Sequence, residues 1–175
     1  MAGPEGERGA RAADEVGPLR VPRLLRAAEV LGADGRRLRG RVFIPATAEG
    51  HPGAMRADEW LNDRGDFFPF LPDGEGSPVL LNKNETVVVT VPASADLDGT
   101  LDEAPAPVRR VIVECGTLRI EGEVVIDMPV QHSRLLDLLN RDRAFLTVRD
   151  GERHHLVRRS RISRVREAPQ GGGES

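Results

Sequence analysis

Two heptads carry the residues whose spacing could do chemistry: Arg56 to Asn62, reading R-A-D-E-W-L-N, and Arg134 to Asn140, reading R-L-L-D-L-L-N. In each, a guanidinium stands three residues ahead of a carboxylate, Arg56 with Glu59 and Arg134 with Asp137, and an asparagine follows three residues later, Asn62 or Asn140. On a helix this spacing puts the charges on one side, where they form an ion pair or the edge of a ligand or partner site. Asn62 and Asn140 follow the last apolar residue, where a left-handed residue commonly closes a helix, and asparagine tolerates that conformation. The chain has four asparagines and two stand at this one place, so the heptads read as copies of one another.

A second group lies near the end of the chain. Arg158, Arg159, Arg161, Arg164 and Arg166, with Arg153 before them, concentrate positive charge on what reads as one returning strand from His155 to Arg166. Such a strand serves as an edge blunted against aggregation, as a dock for an acidic surface, or as a nucleic-acid contact. Stacking aromatics are missing nearby and the net charge is -3, which argues against nucleic acid.

The remaining nucleophiles and ligands give little. His51 and His132 precede the two heptads without a second ligand at metal-site spacing, and His154 and His155 are adjacent, so they point to opposite faces of a strand. Cys115 is the single cysteine, which excludes an intrachain disulfide and a thiolate cluster, and its parity with Val111 and Val113 makes it a buried thiol. Nucleophile elbow, phosphate loop and dinucleotide fingerprint are all missing, so no catalytic, cofactor or metal residue is assigned.

The elements around the heptads repeat with them. Leu38, Val42 and Ile44 alternate with Arg37, Arg39, Arg41 and Phe43, and Leu118, Ile120, Val124 and Ile126 alternate with Arg119, Glu121, Glu123 and Val125, the period of a half-buried strand. Gly40 and Gly122 take the same inward place, marking a bulge, a sharp bend or a close backbone approach. Within each heptad the apolar residues, Ala57, Trp60 and Leu61 or Leu135, Leu138 and Leu139, fall on one side of a short helix, with Ser133 as N-cap of the second. Strands led by Phe67 and Phe145 then run to Asp73-Gly74 and Asp150-Gly151, hairpin turns. The returning strand Val79 to Val91 contains Val87, Val88 and Val89, an unbroken apolar run that predicts burial on both faces, against the other copy.

The predicted fold is mainly β within the α+β class: two tandem small antiparallel β rolls or partly open barrels, each with one short helix, in the order β-β-α-β-β. The modules span residues 22–93 and 108–167, joined by an acidic, proline-containing linker at 94–107 and flanked by flexible tails at 1–21 and 168–175. Arg39 and Arg41 stand where the second copy holds Glu121 and Glu123, so opposite charges at equivalent sites could pair the modules or neighbouring chains.

The strand, G-x-V-x-I, spacer, R-x-x-D-x-L-N and Phe-led strand together resemble a small bacterial domain family of unknown function whose members carry R-L-S-D-[FYW]-L-N after a strand. Asp137 matches the family's acid, whereas the first copy places Glu59 at that register and Asp58 one residue earlier. The resemblance implies this fold and no enzymatic activity.

Function is expected to be non-enzymatic: a protein-interaction module acting as adaptor, scaffold or regulatory subunit. The alternatives are a small-ligand or nucleotide sensor using the loop before each helix, with Arg56 or Arg134 as anion contact, and a nucleic-acid binder through the arginine-rich strand. No apolar run of signal-peptide or membrane-spanning length occurs, and a cytoplasmic location is expected. The expected partner is another protein, or the chain itself through module pairing or homo-oligomerisation.

Overall fold

The computed structural model describes residues 22–94, 106–129, 131 and 134–169. The expected tail at 1–21, residues 170–175 of the tail expected at 168–175, most of the linker, Val130, His132 and Ser133 lie outside them, while Ala168, placed in that tail, is buried with its amide on the Arg110 carbonyl. The first copy runs β1 (Arg23–Gly32), β2 (Arg37–Pro45), α1 (Ala57–Asn62), β3 (Phe67–Pro72), β4 (Val79–Asn82) and β5 (Thr86–Pro92). The second runs β6 (Val108–Cys115), β7 (Leu118–Val125), α2 (Leu135–Leu139), β8 (Phe145–Arg149), β9 (Arg153–Arg158) and β10 (Arg164–Glu167).

All ten strands belong to one open antiparallel sheet, in the order β10-β6-β7-β8-β9-β5-β1-β2-β3-β4. The fold is mainly β, as expected, with the strands of both copies joined in one open sheet, and the repeat shows in the order itself. Each copy is laid out last, first, second, third and fourth strand, and β9 of the second copy pairs with β5 of the first.

β5 therefore has neighbours on both edges and a core on each face. Val89 and Val91 join the first core with Ala28, Val30, Val42, Ile44, Trp60, Leu61, Phe68 and Phe70. Val88 joins the second with Val111, Val113, Ile120, Val124, Ile126 and Leu138. The valine run, read as buried on both faces against the other copy, takes that position. Trp60 meets Phe68 edge to face, with ring centroids 5.5 Å apart.

Each returning strand is two strands rather than one. A single 3-10 turn, Lys83–Glu85 or Arg159–Arg161, interrupts it and carries the chain from the fourth strand of its copy to the opposite side of that copy's layout. The turns are pinned alike: the Lys83 amide donates to the Asp66 carbonyl at 2.7 Å and the Arg159 amide to that of Ala144 at 2.9 Å.

The glycine pair marks close backbone approach. A Cβ on Gly40 would lie 2.1 Å from the Leu71 carbonyl oxygen, and one on Gly122 would lie 2.4 Å from that of Arg149. The third strand of each copy pairs with the second there. No helix among the described residues is long and apolar enough to cross a membrane.

Candidate functional site

The heptads turn out to be short capped helices. Arg56 and Arg134 are the N-caps, both extended, so the cap of α2 is Arg134 and not Ser133. The acid at the third helical position reaches back: the Arg56 amide donates to Glu59 Oε2 at 3.0 Å, and the Arg134 amide to Asp137 Oδ2 at 3.4 Å. This satisfies an amide that the helix leaves orphaned, which explains the arginine-to-acid spacing. In the first copy the pair sits in a wider network: Arg56 Nη2 lies 3.2 Å from Glu59, His51 Nε2 lies 2.9 Å from Glu59 Oε2, and Arg143 of the second copy lies 3.6 Å from Asp58. Burial alone would raise the Glu59 carboxyl, but the bonds from His51 and the Arg56 amide, with the Arg56 charge, hold it below the usual range. The Glu59 hydrogen bond in turn raises the His51 imidazole.

The asparagines do not close their helices in a left-handed conformation. No described residue other than glycine has positive φ; Asn62 is the last helical residue, and Asn140 has φ -91° and ψ 0°. Asn62 instead reaches into the other copy. Its Oδ1 accepts from the Phe145 amide at 2.9 Å, and its Nδ2 donates to the Phe145 carbonyl at 3.3 Å and to the Asp58 carbonyl at 2.9 Å. One side chain thus meets both backbone groups at the start of β8, as a neighbouring strand would.

The terminal arginines divide among three places. Arg158 donates to Asn84 Oδ1 and lies over the Phe145 ring at 5.3 Å; Arg161 donates to the Asn84 carbonyl at 2.9 Å and lies 3.6 Å from Glu85. These two tie the turn of the second copy to that of the first. Arg159 donates to the Arg143 carbonyl at 2.8 Å, and burial lowers its guanidinium. Lys83, the sole lysine, does the same in the first copy, donating to the Asp63 carbonyl at 3.0 Å, with burial again the main cause of its lowered ammonium. Arg164 and Arg166 lie on β10, an edge strand, both beside Glu114.

The other face of the junction is a cleft of about 570 Å³, with Glu29, Arg37 and Arg39 on one wall, Arg119 and Glu121 on the other, and Thr90, Asp150, Arg153 and His155 between them. Arg39 and Glu121 thus line one cavity, each paired within its own copy, Arg39 with Glu29 at 3.1 Å and Glu121 with Arg110 at 3.1 Å. In the cleft Thr90 Oγ1 lies 3.0 Å from His155 Nδ1, and His155 Nε2 lies 2.8 Å from Asp150 Oδ2. Burial would raise Asp150, but bonds from His155 and the Arg153 amide lower it. Sequence reading missed this hydroxyl, imidazole and carboxylate relay because Thr90 and His155 meet only through the β5–β9 pairing. Cys115 is buried, and burial raises its thiol. Among the described residues no group of three His, Cys, Asp or Glu side chains is placed to hold a metal ion.

The outer face of the hairpin formed by β3 and β4 differs from its counterpart. Phe145 and Leu156 are 2% and 1% exposed because they complete the first copy's core, whereas their equivalents Phe67 and Leu80 are 58% and 70% exposed. β4 is also a free edge of the sheet. Comparison of the chain with family models, with curated proteins and with solved structures finds no match.

Proposed function

We propose that this is a non-enzymatic cytoplasmic protein-interaction module, a scaffold or adaptor built from two roll-like repeats, whose binding surface is the β3–β4 edge. The observation that carries the reading is the exposure of Phe67 and Leu80, side chains whose equivalents are covered by protein within the chain. An open edge with apolar residues on its outer face favours a partner that adds a strand and brings an apolar surface of its own. The resemblance to the R-L-S-D-[FYW]-L-N domains is compatible with it, because the heptad residues serve caps and the junction.

The Thr90 relay has the order of a nucleophile, base and orienting acid. Yet β5 is hydrogen-bonded to β1 and to β9 along its edges, so its amides near Thr90 are committed to the ladders and cannot cradle an oxyanion. The relay serves better as a cross-strand staple.

A photo-crosslinking residue at position 80, introduced in the native cell, tests the reading. It is expected to yield adducts with a polypeptide, while the same residue at exposed position 152 yields none. Equal labelling at both positions, or none at position 80, overturns it.

The cleft favours a second reading, a sensor for a small polar ligand held among paired charges. Thermal-shift screening with metabolites and nucleotides should then raise the melting temperature for some of them, since a ligand that binds only the native state stabilises it. A flat response removes this reading.

A further inference from the structure

We infer that the partner on the β3–β4 face is a second copy of this chain, docked head to tail by repeating between chains the junction that joins the two modules within one. This rests on the reading of that face as an interaction surface. The register defines the equivalences. Ala28 pairs with Gly40 as Val111 pairs with Gly122; on that frame Val89, opposite Val30, corresponds to Val165, opposite Val113. Likewise Phe67 opposite Asn82 corresponds to Phe145 opposite Arg158, which makes Leu80 the equivalent of Leu156.

Within the chain, Val89 faces Leu156 across the junction. Between chains, Val165 would face Leu80 of the next chain, keeping an apolar pair. Asn140 stands in the place of Asn62 and is exposed, so its amide would take the Phe67 backbone of the next chain as Asn62 takes that of Phe145. Leu139 is half-buried where its equivalent Leu61 is fully buried, the expected result of a core that lacks its cover.

Two further positions agree. Leu136, 64% exposed, replaces Asp58, whose partner Arg143 is replaced by Gly65, so an ion pair of the internal junction gives way to an uncharged contact. Arg161 and Glu85 pair internally and hold equivalent places in their turns, so between chains the same pair would recur with its partners exchanged. Both halves of a junction are therefore displayed on every chain, at opposite ends of the sheet. β10 brings Arg164 where β5 brings Val88, which makes the contact between chains weaker than the tethered one. Because its two surfaces differ, the contact is heterologous and leaves both surfaces open at the ends of a growing series.

Sedimentation of the purified full chain up to ~1 mM, the effective concentration of a short tether, tests this. The wild type is expected to pass beyond dimer as concentration rises. Leu80→Lys and Leu136→Lys should each remain monomeric, and an equimolar mixture of the two should give 1:1 dimers through the one intact pair of surfaces. Both side chains are exposed, and matching circular-dichroism melts confirm that the variants fold. A wild type that stays monomeric overturns the inference, as does association that Leu80→Lys abolishes but Leu136→Lys leaves intact, the sign of β4 pairing with β4 across a two-fold axis. Association unaffected by either variant overturns it too. A monomer in solution whose position-80 crosslinks lead to a different polypeptide sinks the second copy while leaving the interaction reading in place.

Discussion

Asn62 holds both backbone groups of Phe145, a residue 83 positions away, by accepting from its amide and donating to its carbonyl. Asn62→Ala leaves these partly buried groups unpaired, which should cost about 1–3 kcal/mol in urea unfolding. Asn140→Ala in monomeric protein should cost under about 0.5 kcal/mol, as exposed substitutions do. Equal losses would show that the clasp is not what distinguishes the two asparagines.

Gly40 and Gly122 make a sharper structural prediction. A methyl at either place would overlap a backbone oxygen, Leu71 or Arg149, that cannot swing aside as a side chain can. Gly40→Ala and Gly122→Ala should each destabilise by roughly 2 kcal/mol or more, read from thermal melts. Gly50→Ala, with open space at its Cβ, is the control and should change little.

The His51–Glu59 pair sets a pH dependence. Glu59 is lowered in the folded state, so its contribution is present above the ordinary glutamate value of ~4.3 and is lost as pH falls through the folded value. His51 is raised, so its contribution is full below the ordinary histidine value of ~6.5 and is lost as pH rises through the folded value. The stability advantage of wild type over His51→Gln should therefore be largest between these values and shrink by pH 8. An advantage that grows toward pH 8 would contradict the pairing.

Lys83 can be tested against its counterpart. Arg159, at the corresponding place, holds a carbonyl of the corresponding loop with a guanidinium, two residues further along than the one Lys83 holds, so Lys83→Arg should fold and melt close to wild type, whereas Lys83→Met should lose about 1 kcal/mol with the bond to Asp63. Equal melts for all three proteins would remove the lysine from the account of the turn.

What the sequence revealed was periodic and local. Alternation gave the second strand of each copy, the heptads gave the helices, and Gly74 and Gly151, with φ 81° and 92°, turn their hairpins as Asp-Gly pairs should. The unbroken Val87 to Val89 run signalled a strand with a core on each face. What escaped was the polar group Asn82, Lys83 and Asn84 interrupting the apolar residues on either side; it marks the turn that splits the returning strand. The Asn62 clasp and the Thr90 relay escaped for a different reason. Each joins residues brought together only by the β5–β9 pairing, a long-range choice that no local pattern encodes.

The most direct measurement is a cysteine pairing between chains. With Cys115→Ala as background, Leu80→Cys protein mixed with Val165→Cys protein should form a disulfide-linked heterodimer under mild oxidation, because these positions correspond to Leu156 and Val89, which face each other inside the chain. Heterodimer in excess of either homodimer is the predicted result. Leu80→Cys homodimers alone, or no crosslink while both proteins are folded, would contradict the head-to-tail assembly.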